Sequence, residues 1–149
     1  MRQQIDTYIF FGGNCAEAMR FYESTLGAKL DAVMKYGEAP DPSQCPAGGA
    51  DKIMHAHLVL EGGSSLMASD WAGPQPYPGM KGFSVSLFYP QAADARRAFD
   101  ALAKGGQVMM PLGKVFWSEA FGMLVDKFGT PWMVSGGAAV NADPGKQAH

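Results

Sequence analysis

Two of the chain's three histidines, His55 and His57, stand one residue apart inside the apolar run "IMHAHLVL". Alternate residues of a strand point to the same face, so a strand here presents both imidazoles together. Met54, Ala56, Leu58 and Leu60 then form an opposite, wholly apolar face suited to packing under a helix. A neutral or cationic imidazole can ligate a metal, move a proton near neutral pH or hydrogen-bond a ligand. A divalent metal at His55 and His57 is the alternative to a pair that hydrogen-bonds neighbours or ligand, because a catalytic ion needs about three strong donors and no third lies at obvious spacing. Which face the imidazoles take depends on the hairpin that follows. A two-residue Gly62-Gly63 turn pairs His57 with Ala68, whereas a three-residue loop ending in a left-handed Gly63 pairs it with Met67. Lys127-Phe128-Gly129 in a second, similar stretch favours the three-residue form.

Other chemistry is sparse. No GxSxG elbow and no Ser/His/Asp order is apparent. "FGGN" and "KGGQ" match neither G-x-G-x-x-G nor a Walker pattern and read as turn glycines. Cys15 opens a helix and Cys45 sits in a loop, so both are expected to be free thiols of low reactivity. Phe116 and Trp117 offer aromatic area that could lid a cavity or pack in a core or dimer. Met67, Met123 and Met133 could form a soft ligand-contacting wall or fill space.

The elements that must position these residues occur twice. "IDTYIFF" is a strand, and "GGNCAEAMRFYESTLGAKL" a helix with Asn14 as N-cap, Glu17 as its capping-box partner and Gly27 as stop. "GFSVSLFYPQAADARRAFDALAKGG" repeats that order: Ala92, Ala95, Phe99 and Leu102 lie 77 positions after Cys15, Ala18, Tyr22 and Thr25, and Phe88 lies 77 after Phe11. "HLVLEGGSSLMAS" and "MLVDKFGTPWMVS" match at Leu58/Leu124, Val59/Val125, Gly63/Gly129, Met67/Met133 and Ser69/Ser135, 66 positions apart. Each reads as a β-hairpin about a glycine. The offset falls because the first copy carries the Pro- and Gly-dense loop "YGEAPDPSQCPAGGADK". The chain is therefore expected to be one domain of two strand-helix-three-strand modules, about 5-71 and 82-137. They meet at the semi-rigid "WAGPQPYPGMKG", and a disordered tail, 138-149, sets His149 aside.

With these stretches and "MKYGEAP", "IMHAHLVLEGGSSLMASD" and "MPLGKVFWSEAFGMLVDKFGTPWMVS", roughly residues 5 to 136 resemble the PhnB-like branch of the vicinal oxygen chelate superfamily. That superfamily includes glyoxalase I, extradiol dioxygenases and bleomycin-resistance proteins. The resemblance implies an α+β fold in which tandem βαβββ modules curl mixed sheets around a cupped cavity, with helices outside. It also implies a divalent metal held from the first and last strands of each module, near Thr7 and Met67 and near Ser84 and Met133. None of these four is His, Asp or Glu, and a slip of one residue brings in only Asp6. Thioethers and neutral hydroxyls are poor donors to such ions, so no cofactor is expected at the usual place. The ligand-contacting residues expected on this basis are Thr7, His55, His57, Met67, Ser84, Trp117, Phe121, Met123 and Met133. Some of the branch carry a ubiquinone methyltransferase label, but the chain shows no glycine-rich fingerprint to cradle S-adenosylmethionine.

Composition narrows the partners. A net charge of −2 without a run of like charges gives no nucleic-acid footprint. No apolar stretch approaches a membrane span, and "MRQQIDTYIFF" has neither a long apolar core nor a cleavage signal, so a cytoplasmic protein is expected. The resemblance implies a homodimer. Two functions compete: a metal-free binder of a small organic molecule, and a metal-dependent lyase, isomerase or dioxygenase using His55 or His57.

Overall fold

The computed structural model describes residues 1-41, 43 and 45-138. The tail beyond residue 138, His149 included, lies outside the described residues. The chain divides into two compact units between Gly79 and Met80.

The first unit runs β1 (Thr7–Phe11), α1 (Cys15–Leu26), β2 (Lys29–Lys35), a 3-10 turn (Tyr36–Glu38), β3 (Ile53–Val59) and β4 (Ser65–Asp70). The second runs β5 (Val85–Tyr89), α2 (Ala92–Ala103), β6 (Gln107–Val115), β7 (Ser118–Val125) and β8 (Pro131–Gly136). Strand orders are β1-β4-β3-β2 and β5-β8-β7-β6. In each sheet the first and last strands pair parallel and the other pairs are antiparallel. This is the α+β fold of repeated βαβββ modules that the sequence implied.

Each helix has one apolar stripe and lies on its own sheet. α1 buries Cys15, Ala18, Met19 and Tyr22, and α2 buries Ala95, Ala98, Phe99 and Leu102, the i, i+3, i+4, i+7 spacing of one helical face. The sheet residues that meet α1 are Ile9, Phe11, Ala56, Leu58, Leu66 and Ala68, all essentially without exposure. Burying a side chain of this size contributes about 1.5-3 kcal/mol. In the second unit Leu124, Trp132 and Val134 take the corresponding places.

The start of α1 differs from the sequence expectation. Asn14 makes no side-chain cap. The buried carboxylate of Asp70, at the end of β4, instead accepts the Cys15 backbone N–H at 3.0 Å and the Ile53 N–H at 2.8 Å. A helix N-terminus leaves N–H groups unpaired, and a charged acceptor from the sheet satisfies one of them while fixing the start of β3. At the other end Gly27 takes the left-handed conformation that stops the helix, at φ 62°.

Both hairpins have the three-residue form. Gly63 N–H donates to the Leu60 carbonyl and Gly129 N–H to that of Asp126, at 2.9 and 3.0 Å, and both glycines sit at φ 92°. The second loop carries an extra brace. The buried Asp126 carboxylate accepts the Phe128 and Thr130 N–H groups and the Trp132 indole N–H at 2.8, 3.1 and 2.8 Å. The first loop has Leu60 and Leu66 at those places.

Candidate functional site

The hairpin form fixes the parity of β3. His57 pairs with Met67, while Ala56 and Leu58 are fully buried on the α1 side. His55 and His57 are half-buried and project from the helix-free face. Directly opposed residues of neighbouring strands share a face. A row of partners therefore runs Ala32, His57, Met67, Tyr8 across the first sheet. Beside it Met34 faces His55 across β2 and β3, and Phe10 faces Ser69 across β1 and β4.

Each imidazole has partners. His57 Nδ1 lies 3.4 Å from Asp31 Oδ2, and its Nε2 lies 2.9 Å from Ser65 Oγ. His55 Nδ1 lies 3.2 Å from the Tyr8 hydroxyl, and the two rings stack with centroids 5.7 Å apart. Tyr8 and Phe10 continue into an aromatic stripe, Phe10 meeting Trp71 edge-on at 5.6 Å. Burial, then the nearby Tyr8 and Asp70, raise the Tyr36 phenol above its ordinary value and keep it protonated. The helix-free face of the first sheet is thus polar donors and acceptors set among aromatic rings.

The same positions of the second sheet carry no imidazole and are mostly apolar, with Ser86 and Ser135 among them. Its rows run Met110, Met123, Met133, Ser86 and Gly113, Phe121, Ser135, Phe88. Met123 occupies the place of His57, and Phe121 that of His55, 66 positions on. Trp117, in the β6-β7 turn, packs its ring against Phe121 at 5.3 Å and Phe116 at 4.6 Å.

Two of the residues expected at ligand positions are displaced, Thr7 by one residue and Ser84 by two. Thr7 shares its side of β1 with the buried Ile9 and Phe11, so it points toward α1, and Tyr8 is the residue beside Met67. Ser84 precedes β5, and the residue beside Met133 is Ser86. The larger displacement in the second copy reflects a repeat offset of 78 in the first strands against 77 in the helices, because two residues join β5 to α2 where three join β1 to α1. Phe88 therefore corresponds to Phe10, not Phe11. With this register the four positions hold Tyr8, Met67, Ser86 and Met133: a phenol, two thioethers and a hydroxyl. That donor set does not fit a catalytic divalent ion. Among the described residues no three His, Cys, Asp or Glu side chains group closely enough to hold an ion.

The glycines of "FGGN" also have a packing role. A Cβ at Gly12 would stand 2.7 Å from the Tyr77 ring, and the Tyr77 hydroxyl donates to the Phe10 carbonyl at 2.7 Å. Cys15 is fully buried, and burial, with Asp70 adding to it, pushes its thiol up to about 12. Both cysteines are free thiols. Among the described residues no helix is long and apolar enough to cross a membrane.

Sequence reasoning missed Tyr8, Asp31 and Ser65. Asp31 gave one signal, a charged residue within an otherwise strand-like "KLDAV". Its proximity to His57 depends on the irregular pairing of β2 between Leu30 and Ala32.

Residues 4-134 match the model of the Glyoxalase/Bleomycin resistance protein/Dioxygenase superfamily. The chain belongs to that superfamily. It is 37% identical over 139 residues to Protein YjdN of Escherichia coli, covering 88% of this chain and 93% of that protein. The crystal structure of protein PA1353 from Pseudomonas aeruginosa shares 47% identity and a TM-score of 0.84, covering 92% of this chain and 99% of that one. The PhnB protein from Bacillus cereus shares 27% identity and a TM-score of 0.73, covering 90% and 99%. This member of the superfamily is thus PhnB- and YjdN-like.

Proposed function

We propose that the chain binds a small organic molecule through the helix-free faces of its sheets, without a metal ion at the superfamily's usual positions. The observation that carries this reading is the pair His55 and His57, oriented by Tyr8, Asp31 and Ser65 on a face that also presents aromatic rings. Imidazoles and a phenol recognise acidic groups or hydrogen-bond acceptors, and rings supply apolar area. On the second sheet, Met123 and Met133 present an adaptable thioether surface of their own. The competing reading, a metal-dependent lyase, isomerase or dioxygenase, requires donors that Tyr8, Met67, Ser86 and Met133 do not supply. A homodimer fits the exposure of Phe83, Phe88, Met109 and Trp117, and light scattering reads its mass directly.

Protein purified without a histidine tag, analysed for organic molecules by native mass spectrometry and for metals by elemental analysis, tests the proposal. It expects an organic adduct that His55→Ala and His57→Ala each weaken about tenfold, the size of one lost charge-assisted hydrogen bond. One stoichiometric Zn, Fe, Ni or Mn ion per chain, removed by either substitution, contradicts it.

A further inference from the structure

We propose that Asp31, His57 and Ser65 form a nucleophilic relay through which the Ser65 hydroxyl takes an acyl group from a small carboxylic ester. The geometry is an imidazole between a carboxylate and a hydroxyl: Asp31 Oδ2 to His57 Nδ1 at 3.4 Å, and His57 Nε2 to Ser65 Oγ at 2.9 Å. The relay uses the tautomer with the imidazole proton on Nδ1, toward a carboxylate that can only accept when ionised. Nε2 is left with its lone pair toward the Ser65 hydroxyl, which donates to it. This is the tautomer a general base needs to activate a serine. Asp31 is a positioning residue, since it touches only the imidazole.

A groove adjoins the relay on the side of Asp31 and Val59. Val59 stands opposite Ser65 in the β3-β4 pairing, and Lys29 stands opposite Val59 in β2. Val59, Leu60, Lys29, Asp31 and Glu61 contribute to a groove of about 430 Å³, whose lining stops short of Ser65 and His57. Val59 and Leu60 suit a short acyl chain, and Lys29 is the cation of that row, suited to charge developing on a carbonyl oxygen. In the step, the Ser65 oxygen bonds to the ester carbon as its proton passes to His57 Nε2 and the carbonyl π pair moves to oxygen. Collapse expels the alcohol, which takes the proton from His57. Water, deprotonated by the same nitrogen, then releases the carboxylic acid and restores Ser65. The inference goes beyond ligand binding and does not depend on it.

The test treats the full chain with p-nitrophenyl acetate, following p-nitrophenolate release and locating acetyl groups by peptide mass spectrometry. The expected result is an initial burst approaching one equivalent, with acetyl on Ser65. Ser65→Ala abolishes both, and His57→Gln slows acetylation at least about a hundredfold, the range of general-base contributions. Asp31→Asn slows it about tenfold while Asp31→Glu restores part of the loss, and the imidazole ¹⁵N shifts of His57 change from the Nδ1–H pattern only in Asp31→Asn. Circular dichroism matching the parent keeps each variant informative. Acetyl found only on lysines or Cys45, an undiminished burst in Ser65→Ala, or a folded parent that takes up no acetyl overturns the proposal.

Discussion

His57 stands directly opposite Met67 in the first sheet, on the face that α1 leaves uncovered. The corresponding pair in the second sheet is Met123 opposite Met133. One position of the repeat therefore carries an imidazole in one copy and a thioether in the other, each opposite a methionine. A residue needed for packing would keep its character in both copies. The imidazole's placement predicts that His55→Ala and His57→Ala each change unfolding free energy by less than about 1 kcal/mol, as expected away from a packed core. Leu58→Ala, one residue along and fully buried, is expected to cost about 2-5 kcal/mol. Urea unfolding of the three variants checks the contrast.

Asp70→Ala is expected to cost roughly 2-5 kcal/mol, because it leaves the buried Cys15 and Ile53 N–H groups without an acceptor and each such loss costs about 1-3 kcal/mol. Asp70→Asn keeps one acceptor oxygen and is expected to recover part of the loss. Asn14→Ala should change little, since Asn14 makes no side-chain cap. Chemical denaturation ranks the three.

Cys15 is expected to resist alkylation in the folded chain while the part-exposed Cys45 reacts, with Cys15 labelled only on unfolding. The same shift has a pH consequence. Burial holds the folded thiol's ionisation up to about 12, above its ordinary value of 9.0, so above pH 9 the unfolded chain releases this proton first and stability falls as pH rises toward 12. Below pH 9 both states hold the proton and the term is absent. Cys15→Ala, compared with the parent in urea across that window, should flatten this part of the decline.

Gly63→Ala and Gly129→Ala are each expected to cost about 1 kcal/mol, since both positions hold φ 92° in open space and only backbone strain opposes a Cβ there. Similar losses at the two sites, read by thermal unfolding, would follow from their shared hairpin geometry. A loss at one alone would mean the hairpins differ.

The repeat was legible because its signals are local. Helical spacing from Cys15 to Tyr22, the left-handed stop at Gly27 and the glycine hairpins each follow from backbone chemistry within a few residues. The hairpin then carried the parity of His55 and His57 correctly. What failed was exact counting in the first strands: a slip of one residue put Thr7 in place of Tyr8 and so on the wrong face, and one residue fewer between β5 and α2 added a second residue to the slip from Ser86 to Ser84. The cap on α1 was not legible because its acceptor, Asp70, is 55 positions from Cys15. Asp31, His57 and Ser65 escaped for the same reason: three strands bring them together, and the irregular pairing of β2 has no marker in the sequence.

The most direct measurement of the account is an amide and imidazole NMR titration of the labelled chain with small carboxylic acids and neutral aromatic compounds. Binding through the helix-free faces predicts saturable shifts at Tyr8, His55, His57 and Met67, lost in His55→Ala with the rest of the spectrum unchanged. Shifts confined to α1 and α2, or a complete absence of saturable shifts until a divalent metal is added, would contradict it.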